Sequence, residues 1–277
     1  MKLKLSISPC PNDTFMFDAL VHGRIDTEGL GFDLCMADIE QLNAAAAGSD
    51  RPDISKLSYA AYPEIADRYL ILDSGSALGR GNGPLLVSRK PISTDDLDGA
   101  TVAVPGLHTT ANLLLARLYP QIADRKALLF SEIAPAVARG DFAAGVLIHE
   151  GRFTYRSQGL HLVADLGLEW ERVSRLPLPL GAIVVSRSLA PEVQRAAGRV
   201  LRHSVAYAMA HPEASREFVR KHAQEMSDEV TRNHIDLFVN DHSLALGDEG
   251  LLITKWRAGS SVAKNSRCSA VSADRPR

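Results

Sequence analysis

His149 has the type and the setting of a catalytic residue. It directly follows Gly-Val-Leu-Ile at residues 145–148, an apolar run typical of a buried strand. Its imidazole should therefore lie at the mouth of that strand, partly removed from water. Because an imidazole gains or loses a proton near neutral pH, it fits a general base or acid. A histidine with only structural hydrogen bonds is the alternative, and His108 is the second choice for a catalytic histidine.

Further candidate ligand-binding residues stand at the ends of other apolar runs, where open α/β sheets bind their ligands. They are Asn12 and Asp13 after the first run, Lys56, Leu57 and Ser58 at the end of the third, and Thr109 and Thr110 after the fifth. Each of these segments opens a helix, and the free N–H groups of a helix start favour a carboxylate or phosphate. The pattern predicts an anion-binding rim. Capping of the helices is the alternative role for the polar residues among them.

Lys56 is unusual because it lies in an otherwise apolar strand. A long cationic side chain is rarely buried there unless it is paired or reaches a ligand. We favour contact with a ligand, with an ion pair inside the protein as the alternative.

Several sharper motifs are excluded. His149-Glu150-Gly151-Arg152-Phe153 begins like a zinc-binding helix but has Phe153 where the second histidine must stand. The glycine-rich stretch at residues 79–84 leads into a proline and a strand, whereas a dinucleotide-binding loop leads into a helix. The chain has no P-loop and no nucleophile elbow. The sequence therefore predicts no metal and no cofactor.

Short apolar strands must position these residues, and they alternate with helices as far as about residue 190. We predict strands at residues 3–8, 32–36, 53–57, 85–88, 101–105, 145–148, 160–165 and 182–186. Helices begin at recognisable caps, such as Asp38 with Gln41 three residues on. This alternation favours an α/β fold with mostly parallel strands. From Pro191 to about residue 250 the pattern is almost entirely helical.

Two extended stretches predict a two-lobed protein. Residues 75–84 are dense in glycine and residues 176–181 alternate leucine with proline, so both suit crossings between lobes. We expect residues 1–89 and 182–257 to form the first lobe, residues 90–181 to form the second, and residues 258–277 to fray. A ligand would bind in the cleft between the lobes.

Charge and hydropathy limit the partners. The chain of 277 residues has 31 Lys and Arg against 33 Asp and Glu, a net charge of −2, so it lacks the cationic excess that binds nucleic acid or a membrane surface. The N-terminal run alternates apolar and polar residues, which predicts a strand rather than a signal peptide. The three cysteines have no CxxC spacing. We therefore predict a cytoplasmic protein without nucleic-acid or membrane partners.

Six motifs, in order along the chain, resemble those of the 1,4-dihydroxy-6-naphthoate synthases of the futalosine route to menaquinone. They are SPCPNDTF at residues 8–15, KLSYAAY at 56–62, GRGNGPL at 79–85, PGLHTTA at 105–111, IHEGRFTY at 148–155 and LPLPLG at 176–181. The resemblance extends to about residue 250 and does not include the tail. The combination is far more specific than any single motif.

The resemblance implies a fold like that of type II periplasmic binding proteins, with two α/β lobes, two crossings and a cleft. It also implies cofactor-free cleavage of cyclic dehypoxanthinyl futalosine to 1,4-dihydroxy-6-naphthoate and a sugar-derived fragment, a carbon–carbon lyase reaction. By the same resemblance His149 is the proton acceptor, and the substrate-binding residues are Lys56, Leu57, Ser58, Thr109 and Thr110. Asn12, Asp13 and Asn43 are further candidates, Asn43 because its helix would face the rim in the orientation that the resemblance implies.

Two other functions stay open. A non-catalytic solute-binding module shares the two-lobed fold but would need export. The chorismate dehydratase of the same pathway also shares it, although the setting of His149 argues against that reaction. For the favoured function the partner is a small-molecule carboxylate, from whose spiro-fused sugar portion His149 would remove a proton. Formation of an aromatic naphthol would drive the retro-aldol-type fragmentation. The oligomeric state is open, with a homodimer among the alternatives.

Overall fold

The structure is a computed structural model that describes residues 1–223 and 227–247. The predicted fraying tail at 258–277 and the last part of the predicted first lobe lie outside these residues. In chain order the strands are β1 (Lys2–Ile7), β2 (Gly31–Met36), β3 (Ile54–Ser58), β4 (Tyr69–Ile71), β5 (Ala77–Gly79), β6 (Leu85–Ser88), β7 (Val102–Val104), β8 (Arg125–Ala127), β9 (Ala144–Leu147), β10 (His161–Asp165) and β11 (Leu178–Ser186).

The helices include the one that begins at the predicted capping box of Asp38 and Gln41, but the first helix begins at Pro11, so Asn12 and Asp13 lie inside it and do not cap it. In chain order the helices are α1 (Pro11–Val21), α2 (Ile39–Ala47), α3 (Thr110–Leu118), α4 (Phe130–Arg139), α5 (Gly151–Thr154), α6 (Leu166–Ser174), α7 (Pro191–Ala210), α8 (Arg216–His222), α9 (Asp228–Phe238) and α10 (Asp241–Leu244). Asp38 and Gln41 form the expected reciprocal capping box at the start of α2. Pro191 occupies the first turn of α7, where its missing N–H costs nothing.

The strands form two sheets. One has the order β2-β1-β3-β11-β4, with β5 also paired to β11, and the other has the order β10-β6-β9-β7-β8. The expectation of mostly parallel strands is wrong, because four of the pairings between described strands are parallel and five are antiparallel. All five antiparallel pairings involve β6 or β11, the strands next to the two crossings. The chain reverses its direction there, so these strands run against their neighbours.

The two crossings pair with each other. Strand β5 in the first crossing is antiparallel to the start of β11 in the second, with Leu78 opposite Pro179 and Ala77 opposite Gly181. Sequence patterns gave no sign of the short strands β4, β5 and β8. Both connections between the sheets are therefore held together as one two-stranded ribbon.

Each sheet has its own apolar core. The largest cluster lies between the first sheet and α1, α7 and α8, and includes Leu5, Phe17, Ile183 and Val200. The second sheet packs against α3 and α6 on one face and against α4 on the other. The lobe boundaries stay a prediction, although β6 at residues 85–88 belongs to the second sheet and all of β11 to the first. Within residues 1–223 and 227–247, no helix is long and apolar enough to cross a membrane.

Candidate active site

A cleft lies between the ends of the two sheets and contains most of the predicted site residues. Those that line it are Asn12, Lys56, Ser58, Thr109, Thr110 and His149. Ser8, Asn82, Arg152 and residues of the crossing ribbon line it as well. Asp13, Asn43 and Leu57 do not reach its wall. Leu57 packs into an apolar cluster with Val184 and Tyr69, because strand alternation turns it away from Lys56 and Ser58.

His149 stands two residues beyond β9 in a left-handed backbone conformation, with φ +52°. Part of its ring faces the cleft, and the rest is enclosed by Phe130, at 5.0 Å edge-on, and His234, stacked at 5.9 Å between centroids. Loss of water around the ring lowers the pKa of His149 to about 4, with Asp13 raising it and Lys56 lowering it. The imidazole is therefore neutral at physiological pH and able to accept a proton.

Cys10 lies against His149 but does not form a nucleophile–base pair with it. The Cys10 Sγ is 3.3 Å from Nδ1 and 3.4 Å from Nε2 of His149. A sulfur this close to both nitrogens lies over the ring face, whereas a hydrogen bond to a ring nitrogen lies in the ring plane. Burial, together with the Asp13 carboxylate, raises the pKa of the Cys10 thiol far above its usual range. These contacts favour His149 itself as the reactive group.

Lys56 is paired inside the protein. Its Nζ lies 2.6 Å from Asp13 Oδ1, and the exposed side-chain fractions are 6% for Lys56 and 0% for Asp13. The other Asp13 oxygen accepts hydrogen bonds from the backbone N–H (3.1 Å) and the hydroxyl (2.6 Å) of Ser8. The Lys56 stem passes over Gly181, where a Cβ would be 2.8 Å from Lys56 Cε. Of the two roles open to Lys56, the structure displays the ion pair, which cancels most of its charge.

The start of α3 leaves backbone N–H groups without an acceptor at the wall of the cleft. Thr109 caps the helix by accepting from Asn112 N–H at 3.3 Å. The backbone N–H groups of Thr110 and Ala111 have no acceptor within the described part of the chain, and Ala111 lines the cleft. These donors lie at the positive end of the helix dipole, so this wall of the cleft suits a carboxylate.

Side chains next to the cleft tie the two sheets together. Thr110 Oγ1 donates to Leu180 O at 3.0 Å and accepts from Ala60 N–H at 3.3 Å. Asn43 accepts from Ser58 N–H at 2.9 Å and donates to Ser58 Oγ at 3.1 Å. Its Nδ2 is also 3.5 Å from the carbonyl oxygen of His108. Asn43 therefore holds the end of β3 against the loop that leads into α3.

His108, the second choice for a catalytic histidine, lies outside the cleft wall. Its Nδ1 is 2.7 Å from Glu40 Oε1, and about half of its side chain is exposed. The carboxylate of Glu40 also accepts from the His108 backbone N–H. His108 thus links α2 to the loop before α3, and this contact gives it a structural partner.

Sequence reasoning missed two residues in or beside the cleft and assigned no definite role to a third. His234, on α9, is fully buried against His149, donates from Nε2 to Asn12 Oδ1 at 3.2 Å, and has a pKa lowered by burial. Asn82 lines the cleft from the first crossing. Arg152, three residues after His149, binds Gly83 O and Asp165 rather than His149. No local signal marks His234, because it reaches the site only through packing of α9.

Lowering the pH should destabilise the fold already at pH values above those at which carboxylates titrate. The pKa of His149 is about 4 in the folded protein and about 6.5 in the unfolded chain. Between these two pH values, the ring is protonated in the unfolded chain but not in the folded protein. Stability should therefore fall as pH falls, by about 1 kcal/mol from this group at pH 5.5. His234 acts in the same direction.

Thermal unfolding at pH 7.5 and 5.5 measures this effect. The His149→Asn variant, which lacks the titrating ring but keeps Asp13, Lys56 and His234, should lose less stability between the two values than the wild type. An equal loss in both proteins would contradict the lowered pKa of His149.

Comparison with known proteins gives consistent matches. Residues 3–252 match the menaquinone biosynthesis family. A relative from Thermus thermophilus, named 1,4-dihydroxy-6-naphthoate synthase, is 50% identical over 248 residues, which cover 90% of this chain and 89% of that protein. A relative of the same name from Streptomyces coelicolor is 46% identical over 255 residues, which cover 90% of this chain and 88% of that protein.

The fold has its own match among solved structures. A Candida albicans protein, described as exhibiting the generic periplasmic binding protein structural fold, matches with a TM-score of 0.68 over 92% of this chain and 88% of that chain. At 14% identity this likeness concerns the fold alone. The predicted α/β fold of the periplasmic-binding-protein type is confirmed.

Proposed function

The chain belongs to the menaquinone biosynthesis family, and from that premise we propose that it cleaves cyclic dehypoxanthinyl futalosine to 1,4-dihydroxy-6-naphthoate and a sugar-derived fragment. The two relatives named as synthases of this naphthoate support the assignment. The reaction is a carbon–carbon lyase reaction without a cofactor. The observation that carries it is the neutral His149 ring, which faces the same cleft as the free N–H groups of α3.

The carboxylate of the substrate binds at the start of α3. The N–H groups of Thr110 and Ala111 donate to it, and the helix dipole favours its charge. Lys56 contributes little free charge because Asp13 is its partner. This end of the cleft fixes the aromatic portion, so that the sugar portion extends toward the rest of the wall.

His149 removes a proton from a hydroxyl of the spiro-fused sugar portion. The hydroxyl carbon becomes a carbonyl, the adjacent carbon–carbon bond breaks, and its electron pair enters the ring that becomes the naphthol. The imidazolium then returns the proton to the ring oxygen, so that protons balance. A pKa of about 4 makes His149 a weak base, and aromatisation supplies the driving force for the transfer. The low pKa also makes the imidazolium a ready proton donor in the last step.

The purified protein should release 1,4-dihydroxy-6-naphthoate from cyclic dehypoxanthinyl futalosine and leave chorismate unchanged. Both substrates are incubated separately with the protein, and the products are separated by chromatography and identified by mass. Binding of the cyclic substrate without release of naphthoate would favour a solute-binding module. Dehydration of chorismate would favour the sister enzyme of the pathway. Either result would contradict the proposed function.

A further inference from the structure

Asn82 is a buried amide without a partner in the wall of the cleft. The residue is 1% exposed, and neither Oδ1 nor Nδ2 has a hydrogen-bond partner in the described structure. Most buried polar atoms in proteins are hydrogen-bonded, because an unpaired one loses its contact with water and gains nothing. Here a donor and an acceptor are both unpaired on one side chain. Such an arrangement indicates a ligand that uses both.

The backbone around Asn82 is fixed on both sides. The N–H of Gly81 donates to Glu171 Oε1 at 2.6 Å, and the carbonyl oxygen of Gly83 accepts from Arg152 Nη1 at 2.6 Å. These two charge-assisted hydrogen bonds, one on each side of Asn82, hold the backbone that carries the amide in place. The position of Asn82 is a property of the fold.

Two glycines confine the amide further. Gly83 packs so closely on Gly167 that a Cβ on Gly83 would overlap with the Gly167 backbone. A Cβ on Gly79 would lie 2.7 Å from Asn82 Nδ2. The side chain consequently has protein on its crossing-ribbon side and the cleft on the other. Because Asn82 lines the cleft, an occupant of the cleft is the candidate partner for its amide.

Arg152 connects this loop to the segment that carries His149. One guanidinium nitrogen binds Gly83 O, and another binds Asp165 Oδ2 at 2.7 Å. Because Arg152 is three residues from His149, it ties the loop of Asn82 and the segment of His149 into one frame. A base that takes a proton from a sugar hydroxyl requires the sugar to be held in such a frame.

We propose that Asn82 binds two neighbouring hydroxyls of the substrate's sugar portion, with Nδ2 donating to one oxygen and Oδ1 accepting from the other. This inference rests on the proposed function. A hydroxyl both donates and accepts, so a hydroxyl pair satisfies both halves of the amide. An ionised carboxylate only accepts, and it would leave Oδ1 facing negative charge. The amide therefore binds the sugar end of the substrate, and the start of α3 binds the carboxylate end.

The Asn82→Leu variant tests the contact, because leucine has a similar size and no polar atoms. Its kcat/KM for the cyclic substrate should fall about a hundredfold, roughly tenfold for each lost hydrogen bond. The product 1,4-dihydroxy-6-naphthoate has no sugar, so its inhibition constant should stay within about twofold of the wild-type value. The thermal midpoint should stay the same or rise, since the free protein loses only unpaired polar atoms.

The Asn82→Asp variant separates hydroxyl recognition from shape. Its carboxylate accepts from both hydroxyls, so kcat/KM should fall less than in Asn82→Leu. Asn233→Leu, the same change at an exposed position of α9, is the matched control and should leave both constants unchanged. A wild-type kcat/KM in Asn82→Leu, or a parallel rise in the product inhibition constant, would overturn the proposal. Wild-type protein that releases no naphthoate in this assay would instead overturn the proposed function, together with the inference that rests on it.

Discussion

The His149→Asn variant should release naphthoate at least about a hundredfold more slowly than the wild type, with little change in KM. General acid–base catalysis typically contributes 10²- to 10⁴-fold, and the variant keeps the groups that bind the carboxylate. Asparagine is the appropriate replacement because residue 149 has φ +52°, a region that asparagine tolerates better than most residues. The measurement is steady-state release of naphthoate at saturating and limiting substrate.

Folding of this variant is checked by thermal unfolding at pH 7.5. His203→Asn, at an exposed position of α7, makes the same change away from the cleft and should retain wild-type turnover. If the His149→Asn variant is folded and turns over at nearly the wild-type rate, His149 is not the base. A large rise in KM with unchanged kcat would instead assign His149 to substrate binding.

The Lys56→Met variant should lose about 3–5 kcal/mol of unfolding free energy, because it leaves the Asp13 carboxylate buried without its cation. Asp13→Asn should also be strongly destabilising, since it leaves the Lys56 ammonium buried. The double variant should be less destabilised than the sum of the two single variants, because it leaves no unpaired charge. Denaturant unfolding of all four proteins gives this coupling energy.

The pair Lys4–Asp50 is the matched control for the buried pair. It has the same distance of 2.6 Å between nitrogen and oxygen, but both side chains are mostly exposed. Lys4→Met should therefore change the unfolding free energy far less than Lys56→Met, since water solvates either charge when it is alone. Additive effects of Lys56→Met and Asp13→Asn would contradict the strong coupling that the burial of the pair predicts.

Local sequence patterns predicted the parts of the fold that depend on local chemistry. Runs of apolar residues located the strand that carries Lys56 and the strand that ends just before His149, and the capping box located the start of α2. The same patterns could not give strand direction. β11 runs antiparallel to β3 because of where the second crossing returns the chain, and a single strand contains no information on that direction.

The candidate site shows the same limit. Strand-end positions predicted that Lys56 and His149 lie near one cleft. They did not predict that Asp13, 43 residues away in sequence, pairs with Lys56 and neutralises its charge. His234 and Asn82 come to the cleft through packing between distant segments. The unpaired amide of Asn82 in particular is visible only when every neighbouring donor and acceptor has a position.

The ribbon of the two crossings has a consequence for the order in which the protein folds. All strands of the second sheet come from residues 85–165, so that sheet can assemble from nearby parts of the chain. The first sheet needs β11, whose Ile183 pairs with Lys56. All residues of the second sheet lie between these two positions in the sequence. Closing so long a loop costs entropy and slows the contact. We expect β9 to reach native structure early, whereas the wall formed by Lys56, Ser58 and Gly181 is completed only when β11 docks.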